Sequence, residues 1–186
     1  MKNKLDRAVI SLAGGDNNAL STIYDLSARL IFSTAYAITG NYQDSEDILQ
    51  DTFLEIAKYA NRFTGRGAKS WILTMTRHIA IDVVRKRKPT VELTESEAVN
   101  VTACDHYSDL EVFDLLNQLE EDERQIVTYR VYAKMPHKEI AKIMDITVAN
   151  SQKKYQRAIT KLKGNYSNEN FELKKNTKTV GLNPNA

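Results

Sequence analysis

"MPHKEIAKIMDITVANSQKKYQRAITKLKG", residues 135–164, holds two helical patterns with a tight turn between them. Ile140, Ala141 and Ile143 give the first its apolar side, and Pro136 suits its start because a first-turn residue needs no free N–H. "MDIT" makes the turn. Thr147 is placed to cap a longer second helix on which Lys153, Lys154, Arg157 and Lys161 stay exposed. Short helix, sharp turn and longer basic helix together predict a helix-turn-helix.

Upstream, "LEVFDLLNQL" after Asp109 and "EEDERQIVTYRVYAK" continue the helical material. Residues 89–107, beginning at Pro89, carry many Thr, Ser and Glu and no sustained period, which predicts an acidic linker. Before it, Ile72, Met75, Ile79 and Val83 recur at helical spacing in a helix from Ala68 to about Lys88. A helix capped by Asp44 or Ser45 precedes that one, with Leu49, Phe53, Ile56 and Ala60 on one stripe and Glu46, Asp47, Gln50 and Asp51 largely off it. Residues 18–39 form another, ending at Gly40. Strand patterns are nearly absent. The expectation is an all-α chain of two small helical domains, residues 8–88 and 108–164, joined by a flexible linker at 89–107 and followed by a polar, disordered tail at 165–186.

At 186 residues, 42% of them apolar and 27% charged, the chain has the composition of a soluble globular protein. No apolar run approaches the roughly twenty residues of a membrane span, and the first fifteen residues are too polar for a signal peptide, so a cytoplasmic location without membrane insertion is expected. Cys104 is the lone cysteine. With His106 it offers two ligands where zinc wants about four, so neither a metal nor another cofactor is expected. The net charge of +2 hides alternating blocks. Residues 41–61 hold Asp44, Glu46, Asp47, Asp51 and Glu55 against Lys58, whereas 62–88 are basic apart from Asp82. Residues 89–125 are acidic apart from Arg124, and 134–163 turn basic again. Two basic blocks imply two surfaces for a polyanion. The acidic helix within residues 41–61, with its five acids, is unsuited to facing phosphates.

Together these segments resemble the extracytoplasmic-function group of the sigma-70 family of bacterial RNA polymerase sigma factors, over roughly residues 8–163. "TGNYQDSEDILQDTFLEI" is similar to the family's region two signature, "SWILTMTRHIAIDVVRKRK" to the promoter-reading helix that follows, and "LNQLEEDERQIVTYRVYAKMPHKEIAKIMDITV" to region four. The resemblance implies a non-enzymatic factor that binds RNA polymerase core, at its clamp coiled-coil and its flap, and directs promoter-specific initiation at minus-ten and minus-thirty-five elements. It implies polymerase contacts from Glu46, Asp47, Gln50 and Asp51. For DNA it implies Trp71, Arg77, His78, Arg85, Lys86, Arg87 and Lys88 on the first basic helix, and Asn150, Ser151, Lys153, Lys154 and Arg157 on the second. An anti-sigma factor clamping both domains is a partner the family commonly uses. The chain departs from the family at His78, where Asn is common, at Asp145 in place of the turn glycine, and at Ser151 and Tyr155 in commonly apolar places.

Simpler roles exist for several of these side chains. Trp71 also suits a core aromatic at a helix start. The basic run at 85–88 also suits a helix C-terminus, Glu46, Asp47 and Asp51 a helix N-terminus, and Asp82 a partner for Arg85 or Lys86 one turn on. A stand-alone helix-turn-helix regulator is the alternative function. An acid-base enzyme using Asp47, Asp51 and a histidine ranks last, since His78, His106 and His137 are widely separated and no nucleophile sits beside a base.

Overall fold

The computed structural model describes residues 3–87 and 115–179, all helices and turns. A helix not anticipated from the sequence comes first: α1, Lys4–Ala13, starts on Asn3, whose Oδ1 accepts the Asp6 amide at 2.7 Å. Leu5, Ala8, Val9 and Leu12 bury one side of it, a spacing that is legible in the sequence. α2 spans Ala19–Thr39 and stops at Gly40, which takes φ 63° and returns its N–H to the Tyr36 carbonyl.

α3 runs Tyr42–Tyr59 and a 3-10 turn follows at Ala60–Arg62. Its cap is Asn41, not Asp44 or Ser45. Asn41 has extended backbone and accepts the Asp44 amide at 2.9 Å. Asp44 and Ser45 therefore fall inside the first turn, where Asp44 pairs with Arg87 and the Ser45 hydroxyl donates to the Asn41 carbonyl at 2.5 Å. α4, Ala68–Arg87, completes a first helical body whose core holds Val9, Ile23, Ile31, Ile56 and Ile72, each 1% exposed or less. Asp6 ties its first and last helices together: the buried carboxylate accepts the Ala68 amide at 2.8 Å, one of the orphan N–H groups at the start of α4.

The second body, described from residue 115 on, includes α5, Glu121–Val127, which passes into a π-helical turn at Thr128–Tyr132. α6 is His137–Met144, with Pro136 at its cap, and Asp145 takes the left-handed conformation at φ 53° to close it. Thr147 Oγ1 accepts the Asn150 amide at 3.1 Å and so caps α7, Val148–Thr179, as its spacing predicts. The helix continues past Gly164 into the segment read as a polar tail, because backbone hydrogen bonding propagates there without an apolar stripe to signal it. The expected linker, the Asp109 cap, Cys104 and residues 180–186 lie outside the described residues.

The two bodies are in contact. Leu73 on α4, fully buried, packs in one cluster with Ile126, Tyr129 and Ile140, and Phe32 on α2 packs with Leu116, Leu119 and Val127. A Cβ on Gly40 would stand 3.2 Å from Arg124 Nη1, so the end of α2 fits closely under the second body.

Asp6→Ala leaves the buried Ala68 amide without its acceptor, which costs about 1–3 kcal/mol. Urea unfolding of the variant is expected to show that loss as a lower midpoint at unchanged slope.

Candidate nucleic-acid interface

α4 presents its basic residues at the C-terminal end, where the helix dipole favours them. Arg85 and Lys86 are exposed, and Arg85 pairs with Asp82 at 2.9 Å. Arg87 pairs with Asp44. Lys88 lies outside the described residues. About two turns back Arg77 Nε donates to Gln125 Oε1 of α5 at 3.2 Å, and about four turns back Trp71 rests half-buried against Phe63, ring centres 5.5 Å apart. His78 is exposed. Trp71, Met75 and His78 form one wall of a cleft of about 500 Å³ whose other wall is Glu139, Lys142 and Ile143 of α6. Trp71 is thus both a packing residue and a cleft residue.

On α7, Asn150, Lys153 and Arg157 are exposed on the outer face. Lys154 is half-buried against Asp122, and Lys161 pairs with Glu123 at 2.7 Å. Donating that hydrogen bond to the Glu123 carboxylate raises the Lys161 pKa, so the cation is held. Ser151 departs from the expectation of a DNA-facing residue. It is fully buried, and its hydroxyl lies 3.0 Å from His137 Nδ1, so it joins α6 to α7. A polar pair fills a place the fold commonly gives to an apolar contact, and the Tyr155 ring meets the edge of His137 at 5.5 Å to complete it. Burial, with the Arg130 charge second, pushes the His137 pKa below its ordinary value.

α3 carries acidic residues on its solvent side. Asp47, Gln50 and Asp51 are exposed and Glu46 is half-buried. Leu54, 68% exposed, sits on the same face, because positions 47, 50, 51 and 54 line one side of a helix. That spacing was the available signal for a residue not singled out from the sequence. Gln125 was not singled out either, since a buried glutamine partner for Arg77 depends on docking between bodies. Among the described residues no group of three or more His, Cys, Asp or Glu is placed to hold a metal ion, and no helix is long and apolar enough to cross a membrane.

Residues 23–90 match the model of Sigma-70 region 2, and residues 109–162 match that of Sigma-70 region 4. The chain belongs to the sigma-70 family, in its extracytoplasmic-function group. It is 24% identical over 157 residues to the ECF RNA polymerase sigma factor SigM of Bacillus subtilis, a match covering 80% of this chain and 95% of SigM. With SigW of the same organism it is 25% identical over 111 residues, 59% of each chain. The fold is also that of the sigma factor RpoE solved with the anti-sigma factor NepR from Bartonella quintana, with TM-score 0.62 and 19% identity over 77% of this chain and 94% of that one. As a sigma factor the chain is a non-enzymatic component of transcription initiation that works with RNA polymerase core and promoter DNA.

The lowered His137 pKa has a consequence for stability. The unfolded chain takes up a proton near pH 6.5 that the folded chain resists, so below that value protons favour unfolding and stability falls as pH falls. Urea midpoints measured from pH 7.5 to 5 are expected to fall less steeply for His137→Gln than for the parent.

Proposed function

We propose that the division of labour within this sigma factor follows its charged faces. The first domain, residues 8–88, docks on the polymerase clamp coiled-coil through Asp47, Gln50 and Asp51 of α3, with Glu46 at the edge. α4 serves the minus-ten element: Arg85 to Lys88 neutralise phosphates, while Trp71, Arg77 and His78 lie near an unstacked base. Salt-dependent affinity comes from the first group and sequence preference from the second. Stacking on an aromatic is worth about 1–3 kcal/mol, which offsets part of the cost of opening the duplex once polymerase holds the DNA.

The second domain, residues 108–164, places α7 in the major groove of the minus-thirty-five element, near the polymerase flap. Asn150, Lys153, Lys154 and Arg157 meet bases and phosphates there, and Ser151 holds the helix pair together. The protein acts in the cytoplasm, and an anti-sigma factor such as the one bound to the RpoE relative is the partner that would hold it inactive. The observation that carries the reading is the separation of the faces. An exposed acidic stripe with an exposed leucine at its end suits a protein partner, whereas exposed bases on α4 and α7 suit DNA.

Charge reversal separates the two roles. Asp51→Arg is expected to weaken binding to core polymerase at least about tenfold, because like charges across an interface cost several kcal/mol, with helicity by circular dichroism unchanged. Unchanged affinity removes α3 from the docking surface. For α7, Lys153→Glu with Arg157→Glu is expected to lower promoter affinity of the holoenzyme and to reduce the slope of log affinity against log salt by about two. An unaltered slope removes α7 from the DNA.

A further inference from the structure

The buried side of α7 fixes how the helix is rotated on the second body. Ser151 and Ala158, seven residues apart, have no exposure, the Ser151 hydroxyl lies 3.0 Å from His137 Nδ1, and the half-buried Tyr155 ring meets the same imidazole. A helix turns about 100° per residue, so the side opposite Ser151 and Ala158 carries Ala149, Gln152, Lys153 and Gln156, the i, i+3, i+4 and i+7 positions of one stripe. All four are exposed. Asn150 and Arg157, exposed as well, lie along the edge of the stripe. The cations nearer the body have acidic partners, Lys154 in Asp122 and Lys161 in Glu123.

Two glutamines on that stripe were not singled out from the sequence. Gln152 and Gln156 are exposed, and among the described residues neither side-chain amide has a partner, so the fold makes no use of them. They carry no charge and therefore add nothing to the sequence-independent attraction of phosphates, which Lys153 and Arg157 supply. What a planar amide does offer is one donor beside one acceptor. In the major groove only adenine answers both, since its N6 amino group donates and its N7 accepts. Guanine presents two acceptors there, thymine an acceptor and a methyl group, and cytosine a donor alone.

We propose that Gln152 and Gln156 are the specificity-determining residues of α7, each pairing its amide with N6 and N7 of an adenine in the minus-thirty-five element. This rests on the reading of α7 as the major-groove helix and goes beyond it by naming the readers and the base. Four residues of helix rise about 6 Å and one base-pair step about 3.4 Å, so the two adenines stand about two base pairs apart. Lys153, Asn150 and Arg157 hold the helix on the DNA backbone beside them. Ser151 acts through the glutamines as a positioning residue, because its bond to His137 fixes the rotation that turns both of them outward.

The test uses holoenzyme assembled from core polymerase and the full chain, which selects binders from duplex DNA with a randomised promoter segment. Sequencing the bound fraction gives the base preference at each position. The expected parent motif has, in its upstream element, two adenines about two base pairs apart. Gln152→Ala and Gln156→Ala should each lower the preference for adenine about tenfold at one of those positions, leaving the other position, the downstream element and the helicity by circular dichroism unchanged. Gln152→Arg should move the preference at its position from adenine to guanine, a change of base that misfolding does not produce. An upstream element without adenines, or variant motifs identical to the parent's, overturns the proposal. In either case α7 stays on the DNA if Lys153→Glu with Arg157→Glu still flattens the salt slope, and an unaltered slope shows that the major-groove reading itself has failed.

Discussion

Ile72 and Leu73 are neighbours on α4, both essentially without exposure, and they belong to different cores. A helix turns about 100° per residue, so adjacent positions bury on different sides only when the helix is packed along more than one face. Ile72 closes the four-helix body with Val9, Ile23 and Ile56, and Leu73 receives the second body through Ile126 and Tyr129. Everything else depends on that double burial. It fixes which residues of α4 remain for solvent, and these are the C-terminal bases and the residues along the cleft.

Because α4 is held this way, its start is anchored before any partner arrives. Asp6 reaches from α1 to the Ala68 amide, and Arg87 reaches from the far end to Asp44 on α3. Both carboxylates are nearly buried and both meet a positive group or an orphan N–H, the condition under which a buried charge is tolerated. The acids of this chain therefore divide by exposure. Asp6 and Asp44 hold the body together, while Asp47 and Asp51 point outward and hold nothing in it.

The helix-turn-helix shows the same economy at smaller scale. Asp145 supplies the left-handed residue that glycine gives elsewhere, and the Ser151–His137 pair replaces an apolar contact between α6 and α7. The pair orients both helices by direction as well as by volume, since a hydrogen bond has a geometry that aliphatic packing lacks. It also makes the fit of α7 on α6 sensitive to protonation, which an aliphatic pair would not be.

Much of this was legible in the sequence. Periodicity located α2, α3, α4, α6 and α7, the Thr147 cap and the Asp145 turn were read from residue type, and block charge separated an acidic face from basic ones, all of which are properties of short windows. α1 was legible too, through Leu5, Ala8, Val9 and Leu12, but only to a reading that looked for a helix in so short a segment. What periodicity could not supply was the partner of each face. Ser151 looks like a surface residue in a basic helix until α6 brings His137 beside it, and Arg77 looks like a free base until α5 brings Gln125. The sequence by itself determined the helices and the sign of each surface, because both follow from local spacing and side-chain chemistry. Only the tertiary structure decided which charged and polar residues are left for partners, because burial depends on contacts between residues roughly fifty to seventy positions apart, such as Arg77 with Gln125 and Ser70 with Glu139.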